Sequence, residues 1–221
     1  MNDFQNQPAA QWMLNMIPQE FRALRLEEIV PRSAEQAEAL EAVKVYAADI
    51  LAGGRHACVL YGPPGGGKSM LAAGLWNALA PRIADRHQLA DVRKAGTADN
   101  VLWVRGDRLV PEYWKPVEQA DHRTAEQRTF HVSTAGLVVL DDLDKHPTGT
   151  WAANLSGLID ARCCQDRLPT VITMNHTPAA LVTKYGEFGG PIVDRLIRMG
   201  AVFIRVTKGR DAPVEAEAPA L

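Results

Sequence analysis

Gly62-Pro63-Pro64-Gly65-Gly66-Gly67-Lys68-Ser69 matches the phosphate-cradling pattern GxxxxGK(S/T) at every fixed position. Each residue type has a mechanical reason to stand where it does. Glycines let backbone N–H groups turn inward around a row of phosphates, where side chains would block the approach. Lys68 has the length to meet the β and γ phosphates, and the Ser69 hydroxyl suits Mg²⁺. A helix starting near Lys68 would point its positive end at the same anion. The flanks agree with this reading. Residues 56–61 read as a short buried strand and residues 70–79 as a helix. A plain Gly-rich turn between strand and helix would leave the lysine and serine to coincidence. The expected phosphate contacts are therefore Gly62, Pro63, Pro64, Gly65, Gly66, Gly67, Lys68, Ser69 and Met70, and the expected ligand is a nucleoside triphosphate.

The rest of the chain suits such a domain. Its 221 residues are enough for one α/β domain with tails and a sizeable core. A formal charge of −2 offers no global attraction to nucleic acid, so a DNA contact would need a local patch. Three cysteines, Cys58 and the adjacent Cys163 and Cys164, form neither a disulfide framework nor a metal-ligand spacing. Reduced, mostly buried thiols in a cytoplasmic protein are expected. The first residues lack the basic region and apolar run of a secretory leader, and no apolar stretch reaches membrane-spanning length.

Along the chain, residues 1–30 read as a helical lead-in, with short helices over 9–16 and 20–26. Residues 31–207 form the main domain and 208–221 a disordered tail. Ser33 and Gln36 have capping-box spacing ahead of a helix whose apolar positions are Ala37, Leu40, Val43, Ala47 and Ile50. Residues 81–100 are charged and read as an irregular helix and loop. Further strands are expected over 101–105, 137–140, 170–174 and 202–206, with helices over 151–162, 178–185 and 191–198. Strands alternating with helices predict a three-layer α/β fold around a mainly parallel five-stranded sheet.

Chemistry is expected at the carboxyl ends of these strands. The apolar run 137–140 leads into Asp141, placed to hold Mg²⁺, and Asp142, placed to orient or deprotonate an attacking water. Asp144 reads as a solvated turn residue. Asn175 follows the fourth strand, where an amide can meet both γ-phosphate and water. Arg195 and Arg198 share one helix face, and two readings stay open for them. They are either a solvated or salt-bridged pair, with Asp194 at hand, or a guanidinium supplied to a neighbour's phosphate.

The order of these motifs, GPPGGGKS, LVVLDDLD, TVITMN and GPIVDRLIRMG, resembles the AAA+ ATPases of the DnaC/IstB group, bacterial and phage helicase loaders, primosomal proteins and transposon helper ATPases. The resemblance spans about residues 17–206. It implies a P-loop AAA+ core without a substantial C-terminal lid domain, ATP with Mg²⁺, and self-association into an oligomer or filament. It carries over Lys68 and Ser69 as phosphate-loop residues, Asp141 and Asp142 as metal-holding and water-activating acids, and Asn175 as first sensor. Arg195 becomes the arginine finger, supported by Arg198. The implied role is ATP-dependent loading or remodelling of a replicative helicase on single-stranded DNA. A transposase helper on duplex DNA and a low-turnover ATP-bound scaffold are the alternatives. Many relatives carry Asp-Glu where this chain has Asp141-Asp142, and aspartate is one methylene shorter. The lead-in, with Phe4, Trp12, Met13, Leu14 and Met16, is either a small apolar docking element or a strap on its own core. DNA contact is assigned to Arg108, Trp114, Lys115, Arg123 and Arg128, with Tyr113 and His122 interleaved, against the alternative of core aromatics under a solvated charged face.

Overall fold

Five strands, β1 (Ala57–Tyr61), β2 (Val101–Arg105), β3 (Leu137–Asp141), β4 (Thr170–Met174) and β5 (Val202–Arg205), make one sheet in the order β2-β3-β4-β1-β5. Every pairing is parallel. The computed structural model describes residues 16–90, 101–110, 125–165 and 167–208. Successive strand residues alternate between two buried faces, which is why the strands read as unbroken apolar runs. On one face Cys58, Leu60, Trp103, Val139 and Val171 pack under α1 (Ala34–Leu51) and α2 (Lys68–Ala90). On the other, Val59, Val104, Leu140 and Ile172 pack under α3 (Ala125–Thr134), α4 (Thr150–Ile159), α5 (Pro178–Lys184) and α6 (Gly189–Arg198). That is the expected three-layer arrangement.

Ser33 caps α1 by accepting from Gln36 N at 3.2 Å. The reciprocal half of the expected box is displaced by one residue: Gln36 Oε1 accepts from Arg32 N at 2.7 Å. The freed amide of Gln36 donates to the Thr207 carbonyl at 3.0 Å and ties the chain after β5 to the start of α1.

Two expectations along the chain are corrected. Helix α2 runs through Pro81 to Ala90, because Leu79, Ala80, Ile83 and Ala84 continue one buried stripe across it. Burial outweighs the single backbone bond that proline removes. The helix expected over 151–162 changes at Asp160 into a π-helical segment, Asp160–Gln165.

Residues 16–30 pack on the domain. They form two short 3₁₀ turns, Gln19–Phe21 and Leu26–Glu28, in place of the helix expected over 20–26. Ile17, Leu26 and Ile29 are buried in the α1–α2 core, and Asn77 donates to the Phe21 and Leu24 carbonyls at 2.9 and 2.8 Å. Gly74 makes room for Leu26, whose Cδ2 lies 2.5 Å from where a Cβ would stand. The earlier lead-in residues, Phe4 to Leu14, lie outside the described residues. Cys58 and Cys163 are buried and not in disulfides, and burial pushes the Cys58 thiol up. Among the described residues, no helix is long and apolar enough to cross a membrane.

Candidate nucleotide site

The loop from Gly62 to Gly67 joins β1 to the first turn of α2, and β1 lies between β4 and β5. Its place at the carboxyl edge of the sheet therefore brings three strand ends around it. Gly62 N donates to the Met174 carbonyl at 3.3 Å, and Val206 N donates to the Tyr61 carbonyl at 2.8 Å. Gly62 has φ +145°, and a Cβ there would lie 2.0 Å from the Val206 carbonyl oxygen. Only glycine fits under the chain that crosses it.

Lys68 is buried, and its ammonium donates to the Gly62 and Pro63 carbonyls at 2.8 Å each. Burial lowers its pKa, opposed by the charges of Asp142, Asp144 and Asp141. The side chain is thus folded over the loop it would otherwise reach across. Ser69 Oγ donates to Asp141 Oδ1 at 2.9 Å, joining the loop to the end of β3. Thr173 Oγ1 donates to the same oxygen at 2.7 Å and accepts from Asp142 N at 2.8 Å. Burial raises the pKa of Asp141, and the two hydroxyl hydrogen bonds oppose it. A hydroxyl and a carboxylate in direct contact suit a small hard cation, which takes oxygen ligands and keeps several waters. Ser69 and Asp141 are the pair that would hold Mg²⁺.

Asp142 adopts a left-handed conformation, φ 51° and ψ 50°, which is uncommon away from glycine and recurs at functional turns. Its Oδ2 accepts from Lys145 at 2.7 Å. That pair raises the Lys145 pKa. Asp144, read from sequence as a solvated turn residue, is buried. Its Oδ2 accepts from Asn175 N at 3.1 Å and faces His176 Nδ1 at 2.8 Å. Long-range partners, invisible in the local sequence, make the difference. Asn175 therefore stands at the tip of β4, one strand from the two acids and one strand from the phosphate loop.

Arg195 and Arg198 lie on α6. Arg195 Nε donates to Asp160 Oδ1 at 2.7 Å and its Nη1 to Ser156 Oγ at 2.8 Å, while Arg198 Nε pairs with Asp194 Oδ2 at 2.8 Å. Asp160, Pro191, Asp194, Arg195 and Arg198 line an open cleft of about 460 Å³. The hydrogen-bond partners of Arg195 are on α4 and the π-helical segment, not on the phosphate loop. Of the expected DNA contacts, Arg108 is exposed at the end of the 3₁₀ turn Gly106–Arg108. Trp114, Lys115 and Arg123, and the side chain of Arg128, lie outside the described residues.

Sequence reasoning missed Thr173, Lys145 and Lys208. The two threonines of the buried strand β4 are the available signal for the first. Lys145 carried none beyond its spacing from Asp142. Lys208 falls in the expected tail, yet its Cε lies 3.4 Å from where a Gly65 Cβ would stand.

Residues 34–116 match the family described as magnesium chelatase, subunit ChlI, which is less than half of the chain. No curated protein matches. Among solved structures, a putative primosome component from Streptococcus pyogenes serotype M3 superposes with a TM-score of 0.65 at 18% identity, over 94% of this chain and 100% of that one. The DnaC helicase loader gives 0.64 at 16% identity, over 86% and 99%. AMPPCP-bound DnaA from Aquifex aeolicus gives 0.56 at 15% identity, over 82% of this chain and 49% of that one. With its parallel five-stranded sheet covered on both faces, the chain has the α/β fold of the DnaC-like AAA+ domains.

Proposed function

We propose that the chain is a replication-type AAA+ ATPase that binds and hydrolyses ATP with Mg²⁺ and acts on a replicative helicase and single-stranded DNA. The observation that carries the ATPase reading is the contact of Ser69 Oγ with Asp141 Oδ1, which brings the phosphate loop and the acid of β3 to one point. The similarity in fold to a helicase loader and to a putative primosome component supports the replication role.

The steps assigned to this chain follow from its own groups. Lys68 exchanges the two loop carbonyls for phosphate oxygens, a trade of neutral acceptors for charged ones. Mg²⁺ held by Ser69 and Asp141 would neutralise charge on the phosphates. Asp142 turns from Lys145 to the attacking water and takes its proton. Asn175 donates to the γ-phosphate from the tip of β4. The Asp142–Lys145 pair competes with the third step, so turnover without a partner is expected to be slow. Assembly, helicase contact and DNA contact belong to the same reading.

The test is ATP hydrolysis with and without single-stranded DNA. Lys68→Ala should lower turnover on the order of a hundredfold, since it removes a charge directed at the transferred group. Hydrolysis unchanged in that variant would end the reading. Gel shifts at a stated salt concentration separate single-stranded from duplex DNA, and duplex preference would point to the transposase helper.

A further inference from the structure

The turn after β3 carries a carboxylate that these steps leave unused. Asp144 is 4% exposed at its side chain. A buried carboxylate is costly unless donors surround it, so its position needs a reason. Its donors come from far along the chain. Oδ2 takes the Asn175 N–H at 3.1 Å, and it takes His176 Nδ1 at 2.8 Å. A carboxylate only accepts, so Nδ1 carries the proton. The Asp144 carbonyl accepts from Lys184 Nζ, and the neighbouring Leu143 carbonyl accepts from the Tyr185 hydroxyl at 3.0 Å. Oδ1 has no hydrogen-bond partner among the described residues.

The place of these contacts gives the reason. Registered pairing of β3 with β4 ends at Leu140 and Ile172. Beyond it, the two strand ends are joined through side chains. Thr173 is held between Asp141 and Asp142 N, and Asn175 and His176 are held by Asp144. Without the second tie, Asn175 follows the strand's last residue with its N–H unheld by β3.

We propose that Asp144 is the positioning residue for Asn175, a buried clamp that sets the sensing amide relative to Asp141 and Asp142. This rests on reading Asn175 as the group that meets the γ-phosphate. The clamp acts on the difference between ATP and ADP and on the hydrolytic step, and leaves the phosphate loop's grip intact.

The experiment measures Kd for ATP and for ADP, and turnover of MgATP, on the full chain. The variants are Asp144→Asn, Asp144→Ala, Asn175→Ala and the Asp144→Ala/Asn175→Ala pair. Asp144→Ala should lower the preference for ATP over ADP and turnover by about tenfold, as displaced catalytic groups do, with ADP affinity unchanged. Asp144→Asn keeps one acceptor oxygen and should fall between. In the Asn175→Ala background, removing Asp144 should cost nothing more. A loss of the same size in both backgrounds would make Asp144 merely structural, and no loss in either would also overturn the clamp. If Asp144→Ala fails to bind ADP, Asp144→Asn carries the comparison. An Asn175→Ala protein that keeps its ATP preference and turnover overturns the sensor reading itself, a result distinct from failure of the clamp alone.

Discussion

At the scale of single residues, His146 shows how burial becomes a response to pH. It is 1% exposed, its ring lies 6.0 Å from that of Tyr185, and its pKa falls to about 4. Burial is the main cause, and the nearby Lys184 charge adds to it, against a backbone hydrogen bond at Pro147. A free histidine titrates near 6.5. Above that pH the ring is neutral whether the chain is folded or not, and its contribution to stability is complete. As pH falls from 6.5 toward 4, the unfolded chain takes a proton that the folded chain refuses, so stability is lost. Between pH 7 and pH 5 the difference is roughly 2 kcal/mol, at about 1.4 kcal/mol per pH unit below 6.5. Urea midpoints at the two pH values, for the natural protein and for His146→Gln, isolate this from other titrations. The variant should lose that part of the slope. Equal slopes in both proteins would show that His146 takes up its proton alike in the folded and unfolded chain.

At the scale of elements, Arg162 joins pieces that the sequence keeps apart. It is fully buried in the π-helical segment after α4. Its guanidinium donates to the Val132, Ser133 and Ala135 carbonyls at 3.0, 3.3 and 2.7 Å, and so caps the end of α3. It also donates to Pro169 O at 2.9 Å and Thr170 Oγ1 at 3.1 Å, at the start of β4. A cation at a helix C-terminus is favourable, and the planar fork reaches several acceptors that an ammonium would not. Arg162→Lys should therefore cost about 3 kcal/mol, the scale of breaking a buried charged network. For a chain of this size that lowers Tm by roughly 6–12 °C. A thermal melt within about 2 °C of the natural protein would show that the network is dispensable. The same residues explain what was legible in the sequence. Strands such as 137–140 and the phosphate loop are contiguous patterns, and β2 and β4 fall where expected. Arg162 and Asp144 draw their meaning from partners some thirty residues away, so a local reading sees only a charged helix end and an acidic turn. Where an irregular stretch is expected after residue 80, the helix runs on to Ala90, because a buried stripe continues on both sides of Pro81.

At the scale of the whole molecule, the arginines of α6 bind Asp160, Ser156 and Asp194 rather than the phosphate loop. Arg195 is about one-third exposed and held by Asp160 and Ser156 beside an open cleft. An ion pair this exposed contributes only about 0–1 kcal/mol, so the guanidinium is placed without being locked. A phosphate with charge building on it would outcompete such a pair. If Arg195 completes the phosphate site of a second copy, hydrolysis per chain should rise with protein concentration. Arg195→Ala should bind ATP with normal affinity and show no such rise. Mixing it with Lys68→Ala decides the point. In the mixture a Lys68→Ala chain, unable to use its own phosphate loop, still offers Arg195 to the intact loop of an Arg195→Ala chain. Turnover in the mixture should rise above the low level that either variant shows alone. If the mixture stays as inactive as its components, or if Arg195→Ala keeps the concentration dependence, Arg195 does no more than bind Asp160, and the site is completed by some other group.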